Sequence, residues 1–154
     1  MEIEKRLAEL SLELPAPPKP VANYVGAVQV GELLFIGGVT CRIEGQLKFR
    51  GKVGREVSQE QAYEAARWCC LNHLAIIKAH LGDLDRVERI VKVVVHVNSA
   101  PGFNQQPTVA NGQSDLLVQL WGDRGRHTRL ALGAAELFDD IPVETEIIVQ
   151  VRRE

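Results

Sequence analysis

The stretch GRHTRLALGAAELFDDIPVETEIIVQV, residues 125–151, predicts two β-strands around a short connection. In the first strand, the two-residue period of side chains places Arg129 on one side and Leu130 and Leu132 on the other. In the second strand, Glu144 lies opposite an apolar set, which consists of Val143, Ile147, Val149 and Val151. If the leucines and the apolar set pack on helices and the two strands pair, Arg129 and Glu144 face away from the helices on one surface.

Two interpretations of this arginine and this acid are open from the residues alone. One is a cross-strand ion pair on a solvated sheet, which contributes about 0.2–1 kcal/mol. The other is a ligand site, in which the planar guanidinium of Arg129 binds a small carboxylate and Glu144 orients or deprotonates a water molecule. The small side chains at Ala131 and Gly133 would leave room for such a ligand.

The N-terminal third of the chain predicts a helix, a connector and a hairpin. Residues 1–14 carry an amphipathic helix pattern, and the PAPPKP segment, residues 15–20, is a stiff connector inside the domain. Residues 24–38 contain two β-prone runs split at Gly31-Glu32, which is typical of a hairpin. The Gly-rich, polar residues 41–54 predict a further short strand and an exposed loop.

The middle of the chain predicts two helices around a strand. Ser58 and Gln61 form a capping-box pattern before a long helix that should end near Gly82. The β-branched run of residues 87–97 predicts a central strand covered on both faces. Pro107 fits the first turn of a second helix.

These elements predict a single domain, residues 1–154, of the α+β class. Two main helices pack on one face of a mixed sheet and leave the other face uncovered. Because an uncovered apolar face has to be buried, self-association is the expected solution.

Composition limits the classes of partner. The chain has 154 residues, 25% of them charged, and a formal net charge of -2, so a nucleic-acid partner is disfavoured. No apolar run approaches the length of a membrane span. The odd number of cysteines and their spacing favour a reduced, cytoplasmic setting without a zinc site; they are Cys41, Cys69 and Cys70. Cys69 and Cys70 read as core residues of the long helix, and no base is identifiable beside Cys41.

The histidines do not form a metal-ligand set. His73, His80 and His96 are too scattered in sequence, and we interpret them as packing or surface residues. His127 shares the predicted face of Arg129. It could hydrogen-bond a ligand or Glu144 in a cleft, or it could have a structural role.

Four segments of the chain resemble the RidA/YjgF family of imine and enamine deaminases. They are NYVGAVQVGELLFIGG, GDLDRVERIVKVVVHVNSAPGF, ANGQSDLL and the opening stretch of residues 125–151, and the likeness extends over nearly all of the chain from Pro20. The NSAPGF and GRH sequences are similar to those of a divergent branch. The resemblance implies a chorismate-mutase-like α+β fold and homotrimers with ligand clefts between subunits, with the uncovered sheet face lining the trimer core.

The resemblance also implies roles for individual residues. Arg129 matches the arginine that binds the substrate carboxylate, and Glu144 matches the acid that holds the attacking water. The remaining matched positions are Tyr24 at the cleft, Asn111 near its wall, and the backbone at Gly37 and Gly38. The implied reaction is hydrolysis of a reactive 2-imino acid to a 2-oxo acid and ammonia, with no metal or organic cofactor.

The chain departs from many relatives at two places. It has GGV, residues 37–39, where they have SGQ, and Ala131 where they have a cysteine. A non-catalytic trimeric protein that binds a small carboxylate is therefore a second hypothesis. An RNA-cleaving translation inhibitor is a third, which the net charge of -2 disfavours.

Overall fold

A computed structural model describes residues 1–153, which form an α+β fold. Its elements are α1 (Glu2–Glu9), β1 (Ala27–Val30), β2 (Leu33–Thr40), α2 (Gln59–Leu81), β3 (Val87–Asn98), α3 (Gln106–Trp121), β4 (Thr128–Ala134) and β5 (Val143–Val151). Short 3-10 turns cover Leu84–Arg86, Gly122–Gly125 and Phe138–Asp140. No helix in residues 1–153 is both long and apolar enough to cross a membrane.

Several local predictions are confirmed. Val30 pairs with Leu33, so β1 and β2 form a hairpin with Gly31-Glu32 at its turn. The Ser58 side chain accepts a hydrogen bond from the backbone of Gln61 and the reciprocal bond is present, which is the capping box that starts α2. The short strand predicted within residues 41–54 is wrong, because that segment forms only isolated bridges.

The sheet has the strand order β1-β2-β5-β3-β4, in which only β3 and β4 run parallel. The predicted pairing of the two C-terminal strands, β4 and β5, is therefore wrong. The long β-branched strand β3 offers a hydrogen-bonding edge on each side, and α3 provides the crossover that a parallel β3–β4 pair requires. Residues 135–142 then carry the chain past the end of β3 to β5 on its far side.

The core lies between the helices and one face of the sheet. From β3 it receives a set of fully buried side chains, Val87, Ile90, Val93, Val95 and Val97. The alternate positions of this strand include exposed Lys92 and half-buried His96. The prediction that β3 is covered on both faces is therefore wrong for the single chain.

The second face of the sheet is open and partly apolar. Val28, Phe35 and Ile148 stand side by side across β1, β2 and β5, and Phe35 is 42% exposed. Leu130 on β4 is 53% exposed, so it points to this open face and not to the helices. The predicted uncovered face is confirmed in residues 1–153, but the assignment of Leu130 to the helix side is wrong.

The N-terminal helix is shorter than predicted. It ends at Glu9 rather than at residue 14, and Ser11 adopts a left-handed φ of 56° that cannot continue a helix. Ile3 and Leu7 are buried, and the carboxylate of Asp85 accepts hydrogen bonds from the first turn. From this anchor the proline-rich connector runs towards β1.

Candidate functional site

Glu144 lies in a cavity of about 530 Å³. The walls come from the proline-rich connector, the approach to β1, the end of β2 and the side of α2 that carries Asn72 and Ile76. Three of the residues that the resemblance assigned to ligand binding line the same cavity: Tyr24, Gly37 and Gly38. We call Glu144 and these three residues the acid cluster.

A bulge in β2 makes room for the Glu144 side chain. The register between β2 and β5 shifts between Ile36 and Val39, so Gly37 and Gly38 stand outside the regular pairing. A methyl group added at Gly38 would lie 3.0 Å from Oε1 of Glu144. The bare glycine backbone therefore lets the carboxylate rest directly against β2.

The Glu144 carboxyl group is half-buried and has no hydrogen bond or ion pair to any of residues 1–153. Burial raises its pKa, because the charged form loses hydration, and the neighbouring His96 partly opposes this shift. A carboxylate with a raised pKa and an unoccupied hydrogen-bonding edge can accept a proton from a water molecule.

His73 on α2 supports the bulge from inside the core. Its Nε2 lies 3.2 Å from the carbonyl oxygen of Gly37, which can only accept, so Nε2 carries the hydrogen. Nδ1 then accepts a hydrogen bond from Nε2 of Gln113 at 3.1 Å. Complete burial lowers the pKa of His73 to about 4, so the imidazole is neutral at physiological pH. The prediction of a packing role for His73 is confirmed by its full burial.

Arg129 lies in a different part of the molecule. It is on the helix face of β4, where Nη1 donates to Oδ1 of Asn111 at 2.7 Å and to Oγ of Ser114 at 3.2 Å. Within residues 1–153, Nε and Nη2 donate to no protein group. The guanidinium is therefore held at one corner and presents its other donors for a planar anion.

His127 completes this arrangement through Ser114. Nδ1 of His127 donates to the carbonyl oxygen of Gly125 at 2.7 Å, so Nε2 accepts from the Ser114 hydroxyl at 2.9 Å. Burial, and then the positive charge of Arg129, lower the pKa of His127 and favour this neutral form. We call Arg129, Asn111, Ser114 and His127 the arginine cluster.

The sequence interpretation missed Ser114. A signal was present, because Ser114 follows Asn111 by three residues on α3 and so shares its helix face. It also missed the place of His96, which pairs with Glu144 across β3 and β5 on the open face of the sheet. That neighbourhood depends on the strand register, which no local pattern encodes.

The acid cluster and the arginine cluster do not meet in one chain. Strand β3 lies between β4 and β5, with Val93 opposite Arg129 and His96 opposite Glu144. Arg129 is level with Ile147 of β5, three residues from Glu144, so the two backbones are about 10 Å apart across the sheet and about 10 Å apart along the strands. The side chains of Arg129 and Glu144 leave opposite faces of the sheet. The prediction of one shared surface is wrong, and so is a direct cross-strand ion pair within the chain.

The cysteines are part of the core. Cys41, Cys69 and Cys70 are all buried, which confirms the packing role predicted for the pair on α2. Burial raises the pKa of Cys41 to about 11, so its thiol is protonated at neutral pH. Within residues 1–153, no group of three or more His, Cys, Asp or Glu side chains could hold a metal ion.

The fold is that of a known class of protein. The chain belongs to the YjgF/chorismate-mutase-like family, because the model of that family matches residues 4–141. The family is described as "YjgF/chorismate_mutase-like, putative endoribonuclease". Protein TCP17 of Trypanosoma cruzi is 38% identical over 150 residues, which are 97% of this chain and 94% of that protein.

Solved structures support the same assignment. The protein Atu1372 of Agrobacterium tumefaciens, of unknown function, is 39% identical and has a TM-score of 0.91, over 98% of this chain and 94% of its own. RidA of an Antarctic Psychrobacter is 25% identical and has a TM-score of 0.60, over 90% of this chain and 96% of its own. The resemblance to the RidA/YjgF family is thus confirmed, and the backbone is more similar to that of Atu1372 than to that of this RidA.

Proposed function

We propose that this protein is an imine deaminase that hydrolyses reactive 2-imino acids to 2-oxo acids and ammonia. The observation that carries the proposal is the half-buried carboxylate of Glu144, which has no protein partner in residues 1–153 and faces a cavity. Membership of the family that includes RidA proteins supports this chemistry.

The reaction needs one general base at the position of Glu144. Its carboxylate takes a proton from water while the water oxygen bonds to the imine carbon, and the carboxyl group so formed gives this proton to the substrate nitrogen, which becomes an amine. The carboxylate then carries the hydroxyl proton of the carbinolamine to the amine nitrogen, the carbon–nitrogen bond breaks, and ammonia leaves as the carbonyl forms. The imine carbon is already electrophilic, so the main demands on the site are orientation and proton transfer.

Arg129 binds the carboxylate of the substrate in this proposal, through the donors Nε and Nη2. The side chains of Glu144 and Arg129 leave opposite faces of the sheet. One substrate molecule therefore contacts both residues only when a second copy of the chain supplies one of them. The protein is therefore a homo-oligomer with its sites between subunits. A trimer that buries the open face, including Phe35 and Leu130, fits the apolar character of that face.

The test uses 2-imino acids made in place by D-amino acid oxidase, with catalase present and semicarbazide to trap the remaining imine. We expect the wild-type protein to accelerate imine loss, and Arg129→Ala and Glu144→Gln to abolish the acceleration. Arg126→Ala is the matched control, because this exposed arginine pairs with Asp123 outside both clusters. Failure of the wild type to accelerate loss of any imine would reject the deaminase.

A non-catalytic carboxylate-binding protein is the second candidate. Gly37, Val39 and Ala131 lack the polar or thiol side chains of many relatives, which favours binding over turnover. Calorimetric binding of 2-oxo acids that depends on Arg129, without hydrolysis of any imine, would establish it.

An endoribonuclease is the third candidate. Salt-sensitive cleavage of RNA that persists in the Glu144→Gln variant would support it.

A further inference from the structure

We infer that the acid cluster accepts substrates with a bulky apolar side chain, aromatic above all, in preference to small ones. The inference rests on the proposed function for its chemistry. Its own basis is the composition of the cavity around Glu144.

The walls of this cavity are apolar on several sides. Ile76 projects from α2, Tyr24 stands before β1, and Phe138 belongs to the turn that precedes β5. Tyr24 is 52% exposed and Phe138 is 70% exposed, so both present apolar surface that a ligand can cover. The connector adds three rigid proline rings, those of Pro17, Pro18 and Pro20.

Polar side chains of the same walls are already engaged or face solvent. Arg42 forms an ion pair with Asp139. The amide nitrogen of Asn72 donates to the carbonyl oxygens of Thr40 at 2.9 Å and Arg42 at 2.6 Å. Lys19 and Glu44 are exposed. Inside the cavity, away from its exposed rim, the Arg42 guanidinium and the Asn72 amide nitrogen are thus already paired with protein groups.

The size of the cavity points the same way. At about 530 Å³ it is far larger than the methyl group of an alanine-derived imine. A small substrate would leave the apolar walls in contact with water, whereas a phenyl or isobutyl group removes that contact, which favours binding. The preference for the larger side chain should be about tenfold or more.

The first measurement compares kcat/KM for imines made from D-alanine, D-leucine and D-phenylalanine. The imine has no stereocentre at the α carbon, so the D-amino acid serves only as its source. We expect the phenylalanine-derived and leucine-derived imines to exceed the alanine-derived imine by about tenfold or more. Equal values, or a preference for the alanine-derived imine, would overturn the inference.

Binding provides a readout that does not depend on turnover. Calorimetry with phenylpyruvate and pyruvate should show tighter binding of phenylpyruvate to the wild type. If no imine is hydrolysed but this difference persists, the proposed catalysis fails and the cavity preference stands. Equal affinity, or no binding of either acid, overturns the preference.

Phe138→Ser tests the cavity wall itself. Because Phe138 is largely exposed, its loss should not impair folding. We expect a severalfold weaker response to the aromatic ligand and an unchanged response to the alanine-derived ligand. Val25→Ser is the control, since Val25 is also exposed but does not line the cavity. A uniform effect of Phe138→Ser on all ligands, or an equal effect of Val25→Ser, would count against the inference.

Discussion

Glu144 and Arg129 occupy opposite faces of one sheet, with β3 between their strands. Each belongs to its own polar cluster, one facing a cavity and the other held by α3. A single chain thus carries two separate parts of the site that we propose. Each part makes distinct predictions.

Glu144→Gln should abolish imine hydrolysis and at the same time stabilise the protein at neutral pH. Burial raises the pKa of this carboxyl group more than His96 lowers it, so the folded state carries a net free-energy cost whenever the group is ionised. That cost is absent below pH 4.5, the ordinary pKa of the group, and present once the pH exceeds the raised value. At pH 7.5 we expect Tm to rise by about 1–3 °C in calorimetry at fixed protein concentration.

The gain in Tm should vanish below pH 4.5. Glu13→Gln is the control, because Glu13 is exposed and lies outside the sheet. A fall in Tm at pH 7.5 for Glu144→Gln would show that the carboxylate is stabilised by contacts in the assembled protein.

Gly38→Ala should lower kcat by about tenfold while the protein remains folded. The new methyl group would stand 3.0 Å from Oε1 of Glu144, so the flexible end of the glutamate has to move. Gly37→Ala is the steric comparison, because a methyl group there meets no atom within 4 Å. Steady-state kinetics of both variants check this, and a larger loss for Gly37→Ala would contradict the account.

Ser114→Ala should raise KM more than it lowers kcat. The serine hydroxyl accepts from Nη1 of Arg129 and donates to His127, so its removal loosens the guanidinium without touching Glu144. The loss of one such hydrogen bond corresponds to a change of about fivefold in KM. Gln119→Ala, on the exposed side of α3, should leave both constants unchanged, and an equal loss in both variants would indicate a general effect on the helix.

His73 should make the protein progressively less stable as the pH falls from 6.5 towards 4. Above pH 6.5 the imidazole is neutral in both states, and this part of the stability is complete. Below it the unfolded chain binds a proton that the buried ring does not accept until about pH 4. Urea unfolding across this range should show a shallower pH dependence for His73→Gln, and identical slopes would contradict the assignment of a buried neutral histidine.

The sequence predicted the elements that depend on local patterns. The capping box at Ser58, the β-branched strand β3 and the alternation of Glu144 with buried valines are all present in the structure. In each case neighbouring residues of the chain carry the signal. The family resemblance added the fold.

The position of Arg129 could not be predicted in this way. The interpretation assumed that Leu130 packs on the helices, but the open face of the sheet is itself apolar and takes this leucine. It also assumed that consecutive strands pair, whereas β3 inserts between them through long-range contacts. Because Leu130 was assigned to the wrong face and β4 to the wrong partner strand, Arg129 was predicted on the wrong side of the sheet.

The central claim is that a complete site takes its arginine from one subunit and its acid from another. The most direct test co-expresses Arg129→Ala and Glu144→Gln chains with different affinity tags and isolates the assemblies that carry both tags. In a mixed trimer one interface in three joins an intact Arg129 to an intact Glu144, so we expect about a third of the wild-type imine hydrolysis. The shared site is contradicted if the wild type is active but the doubly tagged assemblies are as inactive as Arg129→Ala and Glu144→Gln alone. It is also contradicted if no doubly tagged assembly forms.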